Sequence, residues 1–191
     1  MISDSTKKSW NSNSVDISSR ITSCKDIEEN ESLTVLFDKV IATDMAAHIR
    51  GIGSLQVFLN QANKYLKENG LIIFQVTTLT HSTNTRINNE TMAWISFIDT
   101  YFASGFFITR LVDVLNIIET KGYKVNNVVD VGDSYSHTLH IWYNHVQNFR
   151  RNIRKTLGCE TLALWEMYLS STILRFSMGD VTSYFIICQK K

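Results

Sequence analysis

Residues 44–49 form a short stretch of small and polar residues that follows a predicted buried strand at residues 35–43. The strand is rich in apolar and β-branched residues, which favour an enclosed, pleated backbone. In open α/β sheets, ligands bind in the crevice outside the carboxyl ends of the strands. Asp44 is either a general base or, as we favour, a cap of the loop, and His48 is either a site residue or a structural histidine. We therefore look for chemistry first in this loop.

Histidines in a predicted helix at residues 134–155 form a second group of candidates. His137 and His140 lie about one helical turn apart, and His145 follows them. Such a pair suits a metal ion, but no third ligand stands at a convincing spacing. The three cysteines share no metal-ligand spacing, and their odd number argues against a disulfide framework. We therefore expect surface histidines, no metal site and a reducing compartment.

The charge balance argues against one class of partner. The 191-residue chain has a net charge of +1, so it lacks the basic footprint of a nucleic-acid-binding protein. Its longest basic run, at residues 150–155, is either a solvated helix end or a surface that attracts anionic lipid headgroups. No apolar stretch reaches transmembrane length, and residues 1–20 contain no hydrophobic signal region. We expect a cytoplasmic protein, with peripheral attachment to a membrane as an open alternative.

The order of the predicted elements is typical of part of a mostly parallel sheet. The strand at 35–43, a helix at 54–67 that ends at Asn69-Gly70, and a strand at 71–77 imply a parallel pair with a right-handed crossover. Residues 1–20 are expected to be a mobile polar tail, and residues 21–191 one domain with a short strand at 21–27. Further helices are predicted at 90–103, 109–121, 134–155 and 160–178, and strands at 123–131 and 181–189.

This order resembles the carboxyl half of a class I methyltransferase sheet. Such a sheet is α/β and Rossmann-like, mostly parallel, with an antiparallel terminal strand. The predicted elements lack the first, cofactor-binding strands of that fold.

Four collinear stretches carry a resemblance to one family within this fold. On them the chain resembles the cyclopropane fatty-acyl-phospholipid synthase family of S-adenosylmethionine-dependent methyltransferases, from about residue 37 to the end. Residues 101–105 (YFASG) match a further motif of the family more weakly, because they lack its proline. The four stretches are residues 37–49 (FDKVIATDMAAHI), 65–75 (YLKENGLIIFQ), 132–142 (GDSYSHTLHIW) and 165–176 (WEMYLSSTILRF).

The resemblance implies transfer of a methyl group to a lipid acyl chain, with bound bicarbonate as the proton acceptor in the cyclopropane-forming branch. It implies catalytic roles for Tyr135, Gln75 and His48, of which Tyr135 and Gln75 would hold the bicarbonate. The family's glutamate is Ala47 in this chain, which can neither accept a proton nor orient an anion. Tyr135 is thus either a site hydroxyl or a capping residue of its helix.

Aromatic residues recur at helical spacing in and after the helix at 90–103. Such a stripe is typical of a packed core. The family's lipid pocket raises an alternative, a substrate tunnel lined by Trp94, Phe102, Gly105 and Phe106.

The chain departs from the family in the residues that would bind the cofactor. Dinucleotide- and nucleoside-binding sheets use a glycine-rich turn after the first strand and an acidic residue after the second. The sole G-x-G, at residues 51–53, begins well after the preceding strand, and no acidic residue ends the strand at 71–77. We expect a truncated or degenerate methyltransferase that is inactive alone, or else a non-catalytic module that binds lipid or a partner. Another chain is expected to cover the edge of the strand at 35–43.

Overall fold

The computed structural model describes residues 36–43, 51–80, 89–106 and 108–191. The tail expected at 1–20, the strand at 21–27 and the loop at 44–49 lie outside the described residues and stay predictions. The described elements are, in chain order, β1 (Phe37–Ala42), α1 (Gly51–Tyr65), β2 (Leu66–Leu79), α2 (Asn89–Tyr101), α3 (Leu111–Thr120), β3 (Tyr123–Asp130), α4 (Gly132–Asn148), α5 (Arg150–Leu157), α6 (Cys159–Ser177) and β4 (Val181–Lys190).

The four described strands form one sheet in the order β1-β2-β4-β3. β1 runs parallel to β2, and β4 runs antiparallel to both β2 and β3. The predicted parallel pair and the predicted antiparallel last strand are thus confirmed, and β4 is inserted between β2 and β3. It follows that the carboxyl ends of β1, β2 and β3 and the amino end of β4 lie at one edge of the sheet.

An apolar core fills the space between one face of this sheet and helices α1 and α3. Its largest member, Tyr123, is fully buried, and its hydroxyl donates a hydrogen bond to the Leu59 carbonyl at 3.0 Å. Each fully buried aliphatic side chain contributes about 1.5–3 kcal/mol to folding. The buried members include Leu55, Leu59, Ala62, Leu66, Ile72, Phe74, Val76, Val114, Ile117, Ile118, Tyr123, Ile186 and Cys188.

The beginning of β2 departs from the prediction that Asn69-Gly70 ends a helix. α1 ends before Leu66, which is fully buried and already pairs with Phe37 of β1. The register between the two strands shifts directly after this pair. Asn69 has a φ of 63°, a left-handed conformation that asparagine tolerates. Asn69-Gly70 therefore mark an irregularity in β2, because the pairing of Leu66 with Phe37 ends the helix earlier.

The single long helix predicted at 134–155 is two helices, α4 and α5. They meet at Phe149, whose φ of −100° and ψ of 12° interrupt the helical backbone. Apolar residues recur at helical spacing across this turn, but of them only Leu139 is fully buried, while Trp142 and Phe149 are exposed. The stripe therefore leaves the core as α4 extends away from the sheet.

Candidate functional site

Gln75 lies in β2 close to the edge where the carboxyl ends of the strands meet. It is buried, and its Nε2 donates a hydrogen bond to Ser183 Oγ of β4 at 3.1 Å. Because alternate residues of a strand face opposite sides of a sheet, the register of β2 and β4 puts Gln75, Ser183 and Val181 on one face. The sequence could place Gln75 in a strand, but it could not show a partner 108 residues away.

Tyr135 is positioned by the junction between β3 and α4. Asp130 Oδ1, at the end of β3, accepts hydrogen bonds from Gly132 N at 2.8 Å and from Thr182 Oγ1 at 2.9 Å. A Cβ at Gly132 would collide with Thr182 Oγ1, so this close approach requires glycine. Tyr135 N donates to the Val131 carbonyl at 2.8 Å. Tyr135 therefore lies in the first turn of α4, at the same edge of the sheet as Gln75.

The Tyr135 ring packs against an aromatic group on the Gln75 face of the sheet. Its centroid lies 5.3 Å from that of Phe176 on α6. Phe176 packs against a buried apolar group that includes Val181, which shares its sheet face with Gln75. The six aromatic residues of this group, called the aromatic cluster below, are Trp94, Phe97, Phe102, Phe106, Tyr168 and Phe176.

Trp94 anchors the inner part of the aromatic cluster. Its side chain is buried, and Nε1 donates a hydrogen bond to Thr172 Oγ1 at 3.2 Å. The Phe106 ring packs edge-on against it, with 5.8 Å between the ring centroids. An indole satisfied in this way, in an edge-on aromatic pair, is well suited to a packed core.

The outer part of the aromatic cluster reaches the protein surface. Phe102 stacks on Tyr168 with ring centroids 4.6 Å apart, and it contacts the exposed Trp165 edge-on. Gly105, with a φ of 87°, lies in the turn after α2, where its N–H donates to Asp99 Oδ1. The four residues of the expected tunnel thus lie in or beside the aromatic cluster, which has one buried end and one half-buried end. These residues are Trp94, Phe102, Gly105 and Phe106.

Arg175 of α6 is a buried charge beside the cluster that the sequence did not reveal. Its Nη1 lies 2.8 Å from Asp180 Oδ2, and its Nη2 lies 3.4 Å from Glu90 Oε2. Nη1 also donates to Thr91 Oγ1 at 3.4 Å. These contacts tie α2 to the connection between α6 and β4. From the sequence alone, an arginine in a helix is expected to be exposed to solvent. Only its tertiary contacts show that Arg175 is buried in a network of ion pairs.

The opposite face of the sheet carries two polar groups near the same edge. Thr78 Oγ1 is buried and has no hydrogen-bond partner among the described residues. Burial, followed by the neighbouring Asp130 carboxylate, raises the pKa of the Tyr184 phenol above its ordinary value. Neither group was a candidate in the sequence.

The remaining candidates do not join this arrangement. His48 and Asp44 lie outside the described residues. His137, His140 and His145 are exposed on α4. In the part of the chain that the structure describes, no three His, Cys, Asp or Glu side chains are grouped as metal ligands, and no helix is both long and apolar enough to cross a bilayer.

The described residues do not by themselves fit S-adenosylmethionine. The G-x-G at residues 51–53 is the first turn of α1, whereas β1 ends at Ala42. β1 and β2 end in Ala42 and Leu79, whose apolar side chains cannot bind ribose hydroxyls. Asp130, which does end a strand, is already held by the junction with α4.

Comparison with known proteins gives a consistent set of relatives. The family model for mycolic acid cyclopropane synthetase matches residues 4–186. The sphingolipid C9-methyltransferase of Komagataella phaffii is 27% identical over 158 residues, which are 82% of this chain and 31% of that protein. The Candida albicans enzyme of the same name is 27% identical over 175 residues, 90% of this chain and 33% of its own. The chain thus spans about a third of the length of these curated relatives.

Solved structures share the architecture. The cyclopropane synthase MmaA2 from Mycobacterium tuberculosis superposes with a TM-score of 0.77 at 16% identity, over 86% of this chain and 58% of that one. Mycolic acid cyclopropane synthase CmaA1, complexed with SAH and CTAB, gives a TM-score of 0.76 at 19% identity, over 84% of this chain and 57% of that one. These matches confirm the predicted class I methyltransferase fold.

Proposed function

The chain belongs to the mycolic acid cyclopropane synthetase family, and from that premise we propose that it forms the lipid-acceptor side of an S-adenosylmethionine-dependent methyltransferase acting on acyl chains. The observation that carries the proposal is the contact between Tyr135 and Phe176. It joins a polar edge of the sheet to an aromatic cluster, an apolar surface of the kind that an acyl chain would follow. A methyl acceptor within an acyl chain needs both surroundings at once, an apolar path and polar groups at the reacting carbon.

The polar groups of the proposed site are Tyr135 and Gln75. A glutamine amide has two N–H donors, and one donates to Ser183. The second N–H and the Tyr135 hydroxyl are suited to hold a small anion such as bicarbonate, which would accept the proton released from the methylated chain. Ala47 offers no carboxylate to orient that anion, so its binding rests on Gln75, Tyr135 and, in the loop outside the described residues, His48.

The acyl chain is proposed to follow the aromatic cluster. Phe102 and Trp165 lie at its surface end, and Trp94 and Phe106 at its buried end. Gly105, next to Phe106 of the cluster, itself contributes no side chain that would block the path of the chain. Burial of an acyl chain along these rings is favourable by about 0.8 kcal/mol per methylene group.

Binding of a brominated monomeric fatty acid tests this path, because bromine quenches tryptophan fluorescence only at close range. Each of two variants keeps one of the four tryptophans and has the other three replaced by phenylalanine. Trp10 and Trp165 are replaced in both variants, together with Trp142 in one and Trp94 in the other. The variant that keeps Trp94 is expected to lose fluorescence on saturable addition of the probe. The matched variant that keeps Trp142, exposed on α4, is expected to change little. Equal quenching of both, or none in either, contradicts the acyl path.

A second candidate function is a non-catalytic lipid-binding module. Two observations favour it. Ala47 stands where the family has a glutamate, and the described residues do not form a binding site for S-adenosylmethionine. Calorimetric titration of the 191-residue chain with S-adenosylmethionine is expected to show no measurable binding. Micromolar affinity would show that the chain holds the cofactor itself, and it would favour a complete enzyme over both of our alternatives.

The proposal extends to partners and location. A phospholipid acyl chain is the proposed substrate, and a second chain is proposed to cover β1, which lies at one end of the four described strands. No partner made of nucleic acid is proposed. A cytoplasmic protein with peripheral membrane attachment suits an enzyme that takes its acceptor from a bilayer.

A further inference from the structure

Helices α4 and α6 form an antiparallel hairpin that carries α5 at its far end. The near end lies at the sheet, where Tyr135 contacts Phe176. The far end is fixed by Glu166, which accepts a hydrogen bond from Gln147 at 2.9 Å and pairs with Arg150 at 2.8 Å. A 17-residue α4 spans about 25 Å, so α5 lies far from the core.

α5 buries none of its eight residues, yet its sequence is strongly two-sided. At 3.6 residues per turn, Phe149, Ile153 and Leu157 fall on one side. Phe149 and Leu157 are 58% and 59% exposed, which is unusual for large apolar side chains at neighbouring positions. The adjoining side carries only basic residues, Arg150, Arg151, Arg154 and Lys155. This division is the pattern of helices that lie in the interface of a membrane.

The basic side has more charge than the protein neutralises. Among the described residues, Arg150 is paired with Glu166, whereas Arg151, Arg154 and Lys155 form no salt bridge. Glu160, exposed in the first turn of α6, is the other nearby carboxylate. Three cations therefore face solvent beside two exposed apolar side chains.

A cavity of about 320 Å³ lies between α5 and α6 under the basic side. Its lining includes Arg150, Arg151 and Arg154, with Leu162 and Glu166 from α6. Arginine guanidinium groups bind phosphate through paired hydrogen bonds, so the cavity has the chemistry of a phospholipid headgroup site.

We propose that α5, with Phe149 and Leu157, docks this protein on an anionic phospholipid bilayer, with headgroup phosphates at Arg151 and Arg154. The reason to approach a bilayer rests on the proposed lipid-acceptor function, but the residues are different. The two apolar side chains enter the interface while the basic side chains contact anionic headgroups, and the hairpin then holds Tyr135 and the aromatic cluster above the lipid from which an acyl chain is drawn.

Cosedimentation of the full chain with vesicles tests the docking. We expect binding to phosphatidylcholine vesicles that contain phosphatidylserine, little binding to phosphatidylcholine alone, and loss of binding as salt increases. The variant Arg151→Gln/Arg154→Gln/Lys155→Gln is expected to bind on the order of a hundredfold more weakly. The control Lys39→Gln/Lys64→Gln/Lys124→Gln removes the same charge from exposed sites elsewhere and is expected to bind nearly as the parent does.

The apolar part has its own pair of variants. Phe149→Ser/Leu157→Ser should lose most vesicle binding, while Val57→Ser/Val129→Ser, at exposed sites on α1 and β3, should keep it. No binding by the parent, or equal losses in α5 variants and controls, overturns the proposal. Self-association through α5 without vesicles, detected by sedimentation and abolished by the same variants, would also overturn it. Because no acyl probe is used, a negative result here leaves the quenching test of the acyl path unaffected, and the reverse also holds.

Discussion

Replacement of Arg175 by methionine should destabilise the protein by about 2–4 kcal/mol, somewhat below the range for breaking a fully buried ion pair. The Arg175 side chain is 6% exposed and its nearer partner, Asp180, is 21% exposed, so removal of the arginine leaves a largely desolvated carboxylate without its cation. Glu90 adds little, because it is 71% exposed and lies 3.4 Å away. Methionine keeps the apolar volume, so the loss reports mainly on charge.

The assay is urea unfolding followed by circular dichroism, with Arg110→Met as the matched control. Arg110 pairs with Asp113 at 2.9 Å on the surface, and its loss should cost less than about 1 kcal/mol. Adding Asp180→Asn to Arg175→Met should restore part of the stability, since it removes the unpaired charge. Equal costs for Arg175→Met and Arg110→Met, or no rescue by Asp180→Asn, would refute the argument that a buried charge network secures α2 and α6.

Three further predictions follow from particular contacts. Burial, and to a smaller extent the nearby Cys188 thiol, raises the pKa of Tyr123 to about 12. Burial also raises the pKa of Cys188 to about 12. These folded values exceed the unfolded ones of 10.0 and 9.0, so stability measured by urea unfolding should fall as pH rises from 9 towards 12, and less steeply in Tyr123→Phe; a flat profile would contradict this. Gly132→Ala should cost about 1–3 kcal/mol in thermal or urea unfolding, because the new Cβ meets Thr182 Oγ1, and Thr182→Ala should recover part of the loss. The side of β1 that no described strand covers should make the chain associate with increasing concentration in sedimentation velocity, and a monomer at every concentration would show that the edge is covered within the chain.

Local sequence signals predicted the sheet well. The apolar runs of β1 and β2, separated by an amphipathic helix, suffice to imply a parallel pair, because chain connectivity and handedness leave few alternatives. The aromatic run in β4 implied a strand, and the resemblance supplied its antiparallel direction. Gly122, with a φ of 85°, directly follows the helix predicted at 109–121, and this left-handed conformation agrees with the end of a helix at that point.

What the sequence did not predict depends on tertiary contact. Leu66 reads as the last apolar position of a helix, and only its pairing with Phe37 makes it the start of a strand. Phe149 carries no signal of a helix break, since neither proline nor glycine is near it. The hydrogen bond from Gln75 to Ser183 and the ion pair of Arg175 with Glu90 join residues that are far apart in sequence.

In the candidate site too, the sequence predicted individual residues, and only tertiary contacts show how they are arranged. The resemblance supplied Tyr135, Gln75 and the aromatic residues, each as a separate position. The strand register and the contact of Tyr135 with Phe176 put them on one side of one sheet, which no local pattern contains.

Photo-cross-linking with a phospholipid that carries a diazirine within its acyl chain tests the central proposal most directly. The lipid is irradiated with the full chain, and the modified residues are identified by mass spectrometry. We predict labels on the aromatic cluster between Trp94 and Phe106 and in the first turn of α4 near Tyr135, and their loss when an unlabelled acyl lipid competes. Labels confined to α5, or spread over exposed apolar side chains without competition, would contradict an acyl-acceptor site on this face of the sheet.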